Sequence, residues 1–427
     1  MSDQKYRKVQ MIGFALSTTP GNLHSIEETS DDGRYLGIDD VKKDISARLD
    51  LVKQVIESAY EMHDKNSDVL KIFTIPEFFF RGNKGAYFGT PDSIFNNYFQ
   101  DFISSVLSQE KYKNWIFVLG TLITSNMKIE QDQEPTKTLF PIGDALLDVY
   151  YCLHPLDEWT AKHGIGAERP VSLSNLLKLA DEKESASLFG KTEIRGLNIN
   201  MAEQSEDSSY ISVLTAALNY CDLTADIEVC NCCFIVEGGT EQPLILSVQK
   251  RHKSKEDFIL NGIEENYIQT ITCYPEIPEE SESKKENGDP YSIFTYQGIR
   301  IGVEICLDHG RGRLAQAHKR WGDELVDVQM VISCGMDIRP GSVVADKGGI
   351  VFNCDGEYVL DGRAENGEHC HTMLQMVEQP ISHDNPAVLS EYTRLDDKEK
   401  RSFSYTGDLY PCKTYQIHVY PAVELPR

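Results

Sequence analysis

The first 125 residues alternate between apolar runs and a helix-like spacing of apolar positions. The run from Val9 to Leu16 predicts a first strand. From Asp40 onward the apolar residues recur close to the helical period, which predicts a helix that Asp39 or Asp40 can cap. The apolar positions of this helix are Val41, Ile45, Leu49, Val52, Ile56 and Tyr60.

The same alternation continues through two more strands. An apolar run at residues 70–75 predicts the second strand, and aromatic and aliphatic positions from Phe95 to Val106 predict a second helix. The run from Trp115 to Leu122 predicts the third strand. This strand–helix–strand–helix–strand order indicates an α/β fold with helices covering the sheet faces.

The alternation breaks between about residues 125 and 229, where helical-looking pieces and polar stretches replace it. We interpret 125–229 as an insertion into a domain of residues 1–380, and residues 381–427 as a C-terminal tail. Long insertions often form lids or partner surfaces, and a purely decorative insertion is equally compatible with the pattern. Further strands are predicted at 231–236, 243–249, 299–305, 327–333, 349–354, 371–377 and 414–420.

Three chemically useful side chains each follow a predicted strand. Glu77 follows the second strand, Lys250 follows the run at 243–249, and Cys306 ends the run at 299–305. Taken singly, each has an ordinary explanation as a surface charge or a core cysteine. Glu77 is followed by three phenylalanines, Phe78 to Phe80, which can exclude water and raise its pKa, as suits a carboxylate that takes up and returns a proton.

The ordered set of Pro-Glu, Lys-x-His and strand-Cys-x-Asp resembles the nitrilase superfamily of carbon–nitrogen hydrolases, with its Glu-Lys-Cys triad. The likeness extends to the strand ending at Gly120-Thr121 and to the strand that contains Asn231. The segment Ile263–Tyr267 resembles the one that supplies a second glutamate, which makes Glu264 the matching position. The resemblance covers residues from about 8 to 380, and it implies a four-layer αββα sandwich carrying a large insertion.

The resemblance also implies a reaction on a linear amide or an N-carbamoyl compound. Cys306 would be the nucleophile and Glu77 the base and acid, while Lys250 and the backbone N–H of Leu307 would stabilise the oxyanion. Glu264 would orient substrate or water. The expected substrate is a small molecule, and no metal or organic cofactor is required.

The residues after Cys306 depart from the family pattern. The chain continues His309-Gly-Arg311-Gly-Arg313, so the pocket wall differs, and either arginine is a candidate for binding a substrate carboxylate. Phe78 and Leu307 are further candidates for substrate contact. Glu304 shares a strand face with the cysteine, so it either contacts the pocket or pairs with a cation such as Arg300.

The composition excludes some partners. The chain has 427 residues, a formal net charge of −25 and a pI of about 4.8, which argue against a general nucleic-acid binder or an anionic-membrane binder. Eleven cysteines and a start without an apolar signal core favour a cytoplasmic protein. No apolar stretch is long enough to predict a membrane span. The resemblance also allows for a homo-oligomer.

Two rival sites that the sequence allows are a structural zinc site and a cysteine–histidine dyad. Structural zinc would draw on Cys230, Cys232 and Cys233 with the His-Cys-His run at 369–371, but neither spacing matches the pairs that zinc favours. A cysteine–histidine dyad would pair Cys306 with His309 or His252, which leaves Glu77 and Lys250 without a role.

A third alternative is a catalytically silent binding or regulatory module that acts through the insertion. Fold does not guarantee activity, so a nitrilase-like scaffold alone does not exclude this alternative. The presence of all three triad residue types favours the hydrolase.

Overall fold

A computed structural model describes residues 6–18, 37–38, 40–128, 226–254, 257, 292–322, 324–357, 372–396, 399–404, 409 and 414–426. Glu264 and most of the predicted insertion lie outside the described residues. So does the His-Cys-His run at 369–371.

Among the described residues the helices lie in two groups, one between the first and fourth strands and one directly after Cys306. Asp40 caps the first of them, because its Oδ1 accepts a hydrogen bond of 2.8 Å from the Lys43 N–H. The helices are α1 (Val41–Met62), α2 (Pro91–Tyr98), α3 (Gln100–Phe102), α4 (Leu307–Gly310) and α5 (Arg313–Trp321), with a π-helix at Ile103–Leu107 and 3₁₀ turns at Glu110–Tyr112 and Pro340–Ser342.

The strands form two sheets. They are β1 (Lys8–Ala15), β2 (Val69–Thr74), β3 (Tyr87–Phe88), β4 (Trp115–Lys128), β5 (Asp226–Glu237), β6 (Ile245–Gln249), β7 (Ile293–Tyr296), β8 (Ile299–Ile305), β9 (Val326–Ser333), β10 (Ala345–Asp355), β11 (Met373–Gln379), β12 (Val388–Leu389), β13 (Lys400–Ser404), β14 (Thr414–Val419) and β15 (Val423–Glu424).

The larger sheet has nine strands, with the order β13-β14-β1-β2-β4-β5-β6 and with β3 and β15 paired to β4 and β1. Strands β1, β2 and β4 are parallel, whereas β5 is antiparallel to both β4 and β6. Two antiparallel steps restore the direction, so β6 runs the same way as β4. The carboxyl ends of β2 and β6, where Glu77 and Lys250 follow, therefore lie at one edge of the sheet.

The smaller sheet has six strands in the order β12-β11-β10-β9-β8-β7. Its three central strands, β8, β9 and β10, are parallel. Their carboxyl ends bring Cys306, Cys334 and Asp355 to one edge. The Glu77 N–H donates to the Ser333 carbonyl, 3.2 Å away, so this edge meets the edge of the larger sheet that carries Glu77.

Two apolar clusters hold these layers together. One contains buried residues from both sheets, such as Ile72 and Val118 from the larger sheet and Val303 and Met330 from the smaller. The other joins the larger sheet to α1, α2 and the residues that follow α2. The removal of apolar surface from water in these clusters, worth about 25 cal/mol per Å², is the main favourable contribution to the free energy of folding.

The predicted strands are confirmed, and their ends differ from the predicted ones by a few residues. The helix predicted from Phe95 to Val106 is broken into α2, α3 and a π-helix. The predicted final strand is β14, and it pairs with β1 of the same chain. In the part of the chain that the structure describes, no helix combines the length and the hydropathy needed to cross a bilayer.

Candidate active site

Glu77, Lys250 and Cys306 lie together where the two sheets meet. The Lys250 Nζ is 2.9 Å from Glu77 Oε1, and both side chains are at most 1% exposed. The Glu77 carboxyl and the Lys250 ammonium both act electrostatically on the Cys306 thiol. Residues separated by up to 229 positions in the sequence are thus brought to one buried cluster.

Glu77 is held on the turn after β2. Its Oε1 accepts hydrogen bonds from Lys250 and from Asn231 Nδ2, the latter at 2.8 Å. Its Oε2 is buried and makes no hydrogen bond to the described residues. Burial is the main cause that raises the pKa of Glu77 to about 7, although the Lys250 charge opposes it. The predicted upward shift of this pKa is therefore confirmed.

Lys250 is a buried ammonium between two carboxylates. Its Nζ lies 2.9 Å from Asp257 Oδ2 as well as from Glu77, and 3.2 Å from Ser254 Oγ. Burial acts to lower the pKa of Lys250, but the two carboxylates outweigh it and raise the pKa well above its usual value. The side chain therefore carries its charge at neutral pH.

Asp257 completes the polar network, and sequence reasoning missed it. Its Oδ1 accepts from Asn231 Nδ2 at 2.8 Å, and its Oδ2 accepts from the Ser254 N–H at 2.7 Å. The available signal was an acidic residue seven positions after Lys250. Several acidic residues follow Lys250, Glu264 among them, so the sequence alone does not choose Asp257; Glu264 lies outside the described residues.

Cys306 occupies a sharp turn between β8 and α4. Its φ of 47° and ψ of −104° lie in a region that non-glycine residues rarely adopt. Such a conformation costs roughly 1–3 kcal/mol and is typical of nucleophiles presented at a strand-to-helix turn. The Cys306 N–H donates to the Ile332 carbonyl at 2.9 Å, which anchors the turn to β9.

The Cys306 sulfur is a thiol rather than a thiolate in this environment. Burial is the main cause that raises its pKa well above the usual value, and the charge of Glu77 raises it further, while Lys250 lowers it. Attack by this sulfur therefore requires a base that removes its proton. The Glu77 carboxyl acts on this thiol, and its role as the base stays a prediction.

The first turn of α4 provides a backbone donor. Leu307 is the first residue of α4, so its N–H has no partner within the helix. It makes no hydrogen bond to the other described residues either. The Cys306 N–H is already bonded to β9. The oxyanion donor expected from the sequence, the Leu307 N–H, is thus available beside the sulfur.

Asp308 ties the turn after Cys306 to the segment after Lys250. Its buried carboxylate accepts from the Arg251 N–H at 3.0 Å and from the His252 N–H and Nδ1 at 2.8 and 2.9 Å. Burial acts to raise the pKa of Asp308, but the bonds to His252 and the Arg313 charge outweigh it and lower the pKa. Asp308 is therefore an anion that holds the turn after Cys306 against the segment after Lys250.

The two candidate arginines lie in different environments. Arg313 is buried, and its Nη1 donates to Asp308 Oδ2 at 3.0 Å and to the Gln249 carbonyl at 2.8 Å. Arg313 therefore helps to hold the Asp308 carboxylate in place. Arg311 lies at the end of α4 with its side chain exposed, and its contact with substrate stays a prediction.

Phe78 lies beside the polar network, as a substrate-contacting residue would. Its ring centroid is 5.6 Å from Lys250 Nζ and 4.5 Å from Arg81 Cζ. Its backbone has a φ of 63°, and its N–H donates to Thr121 Oγ1 at 2.8 Å. Phe78 is 3% exposed, and its contact with substrate stays a prediction.

Glu304 does not pair with Arg300. Its carboxylate is buried and lies 2.6 Å from His309 Nδ1, with further hydrogen bonds from the Leu314 N–H and Gln329 Nε2. Pairing with a cation such as Arg300 was one of the two alternatives that the sequence left open, and contact with the pocket was the other; the side chain instead contacts His309 and the Leu314 N–H on the helices that follow. Arg300 Nη1 instead lies 3.4 Å from Glu324.

The histidines do not form a dyad with Cys306. His309 Nδ1 contacts Glu304, and its Nε2 accepts from the Arg339 N–H at 2.9 Å, so both ring nitrogens are occupied. The Nδ1 atom of His252 contacts Asp308. The geometry thus favours Glu77 as the base.

The cysteines of β5 do not converge on a common point. Cys232 belongs to the cluster on the helix side of the larger sheet, and Cys233 belongs to the cluster shared by the two sheets. They lie on opposite faces because adjacent strand residues alternate. Among the residues that the structure describes, no group of three side chains is arranged to hold a metal ion.

Comparisons with known proteins give matches among solved structures. No protein-family model and no curated protein matches the sequence. An amidase double mutant from Nesterenkonia sp. AN1 in complex with acrylamide is 8% identical, over 98% of this chain and 91% of that chain, with a TM-score of 0.34. A cysteine-to-serine mutant of the Nesterenkonia AN1 amidase, from the nitrilase superfamily, is 10% identical over 99% and 92%, with a TM-score of 0.35.

Proposed function

We propose that the protein is a thiol-dependent hydrolase of non-peptide carbon–nitrogen bonds, acting on a linear amide or an N-carbamoyl compound. The observation that carries this proposal is the buried Glu77 carboxyl. It is fixed through one oxygen by Lys250 and Asn231, while its other oxygen accepts no hydrogen bond from the described residues. Such a carboxylate is suited to exchange a proton with the adjacent Cys306 thiol.

The first half-reaction transfers the acyl group to sulfur. Glu77 takes the proton from Cys306, and the sulfur attacks the carbonyl carbon of the substrate. The Lys250 ammonium and the Leu307 N–H stabilise the negative oxygen that develops. Glu77 then donates its proton to the leaving nitrogen, the C–N bond breaks, and ammonia or an amine departs from a thioester.

The second half-reaction releases the acid. Glu77 accepts a proton from a water molecule, whose oxygen attacks the thioester carbon and forms a second tetrahedral intermediate. The C–S bond breaks, and the proton returns from Glu77 to the Cys306 sulfur. The same carboxyl thus acts as a base and as an acid in each half-reaction, which suits a pKa raised to about 7.

Asn231 and Asp257 support these steps without exchanging protons in them. Asn231 Nδ2 bridges Glu77 and Asp257, and Asp257 also contacts the ammonium of Lys250. The network holds Lys250 charged in a buried site, where a charge acts more strongly than in water. The four-layer αββα layout belongs to the same proposal, and it is supported by the apolar cluster that the two sheets share.

The proposal is tested by trapping the thioester. Wild type and Cys306→Ala are mixed with primary amides and N-carbamoyl amino acids, quenched in acid and measured by intact mass. The expected result is a mass increase equal to the acyl group in wild type and in the control variant Cys230→Ala, and none in Cys306→Ala. An adduct that survives in Cys306→Ala would remove this cysteine from the mechanism.

A further inference from the structure

Asp355 is a buried carboxyl group beside the active site that no step of the proposed reaction uses. It is the last residue of β10, and the sheet register pairs it with Ser333 of β9. Its side chain is fully buried, and its Oδ2 makes no hydrogen bond to the described residues. A buried carboxyl group without a cationic partner is costly, so its retention calls for a physical reason.

The Oδ1 atom of Asp355 organises the turn that follows β9. We refer to residues 333–336 as the β9 turn. The Gly335 N–H donates to Asp355 Oδ1 at 2.8 Å, and Ser333 Oγ lies 3.3 Å from the same oxygen. Asn353, on the same strand, donates from Nδ2 to the Met336 carbonyl at 2.7 Å. Two side chains of β10 thus fix the path of the β9 turn.

The β9 turn contacts both reacting groups of the proposed mechanism. The Cys334 carbonyl oxygen is 3.9 Å from Cys306 Sγ. The Ser333 carbonyl accepts the Glu77 N–H at 3.2 Å. A shift of this short segment therefore changes the position of the sulfur relative to the base.

We propose that Asp355 is a positioning residue for the reaction at Cys306. By holding the Gly335 N–H, it fixes the β9 turn, which sets the Cys306 sulfur against Glu77. Asp355 has no hydrogen bond to Cys306 or Glu77, so it acts through this turn. A displacement of about 1 Å between reacting groups can cost about 10²-fold in rate. This inference rests on the proposed function.

The test measures the reactivity of Cys306 as well as turnover. Iodoacetamide alkylates the cysteine: the sulfur displaces iodide, an S–C bond forms, and the thiol proton passes to Glu77. Peptide mass spectrometry gives the alkylation rate at Cys306 and, as a control for unfolding, at the buried Cys233. The variants are Asp355→Ala, Asp355→Asn and the matched control Asp346→Ala, which removes an exposed carboxylate from the same strand.

The expected result for Asp355→Ala is alkylation of Cys306 slowed by about tenfold or more, without new labelling at Cys233. Asp355→Asn keeps an oxygen acceptor for Gly335, so it should stay within about threefold of wild type. An Asp355→Ala rate within about twofold of the Asp346→Ala rate would overturn the proposal. So would an Asp355→Asn rate as slow as that of Asp355→Ala.

A substitute variant and a second measurement make the result of this test decisive. If Asp355→Ala exposes Cys233 to label, Asp355→Ser takes its place with the same expectation, because the shorter side chain lies further from the Gly335 N–H. Ammonia release from primary amides and N-carbamoyl amino acids is measured on the same samples. Alkylation of wild-type Cys306 without any ammonia would contradict the proposed function, and the comparison of Asp355 variants would still test the positioning role.

Discussion

The Lys250 ammonium lies 2.9 Å from the Glu77 carboxylate, and neither side chain reaches solvent. A buried pair of this kind gains little over apolar residues of the same shape, but removing one partner leaves an uncompensated charge. The pair therefore links the chemistry of the site to the stability of the fold.

The variant Lys250→Met should lose both activity and stability. The loss of an oxyanion donor is expected to lower kcat by about 10²–10³. The unfolding free energy should fall by about 3–5 kcal/mol, because Glu77 and Asp257 then share a buried site without their cation. Denaturant unfolding measures the stability, and Lys253→Met, at an exposed position of the same segment, is the control that should change little.

We expect Asp257 to be the carboxylate that supports the charge and orientation of Lys250. Its contact with the Lys250 Nζ predicts that Asp257→Asn lowers kcat by about tenfold or more, since the ammonium loses a charged partner and part of its orientation. The matched variant is Glu264→Gln, at the position that the family resemblance indicates. If wild type and Asp257→Asn have equal steady-state kinetics and Glu264→Gln loses most of its activity, Glu264 rather than Asp257 is the carboxylate that supports Lys250.

The reaction at Cys306 should depend on pH through Glu77. Burial raises the pKa of Glu77 to about 7, so below that pH the carboxyl holds its proton and does not accept one from the thiol. The rate of thioester formation is therefore expected to rise with pH up to about 7 and then to level off. Rapid-quench kinetics across pH 5 to 9 measures this profile.

The variant Glu77→Gln is the control for that profile. It keeps the shape of the side chain and lacks the ionisation, so its rate should be low and should no longer follow the inflection near pH 7. A profile of Glu77→Gln with the wild-type inflection would assign the ionisation to another group.

Asp355 should make the stability of wild type depend on pH. Burial raises its pKa from the ordinary 3.8 to about 7, so the folded state holds a proton that the unfolded state releases. Between these two values the unfolding free energy falls as pH rises. Asp355→Asn is neutral throughout, so relative to wild type it should gain on the order of 3 kcal/mol at pH 8 compared with pH 4. A pH-independent difference in denaturant midpoints would contradict this expectation.

Glu77, Lys250 and Cys306 were singled out by the resemblance of their ordered motifs to a known triad, since each residue alone has an ordinary explanation at the end of an apolar run. Parallel strands that end at one edge bring such residues together, and the pattern of apolar runs is visible without a structure. An upward shift of the Glu77 pKa was also predicted, from the phenylalanines Phe78 to Phe80, and burial is its main cause in the structure. The sequence left the cap of α1 open between Asp39 and Asp40, and the structure shows that it is Asp40.

The rest depends on contacts between distant segments. Asp257 was one of several acidic residues after Lys250, and only the fold brings it to the Lys250 ammonium. Asp355 ends a strand and Glu77 lies just beyond one, yet the role of Asp355 depends on the β9 turn beside it. The side chain of Glu304 was placed on the correct strand, but its partner His309 follows from how the next two helices pack.

The most direct test is ammonia release from primary amides and N-carbamoyl amino acids by wild type and Cys306→Ala in parallel. The account predicts release by wild type on at least one class of substrate and a loss of at least about 10³-fold in Cys306→Ala. Equal release by the two proteins would contradict the central role of Cys306. No release by wild type on any substrate in the panel would contradict the amide or N-carbamoyl assignment and favour a binding module.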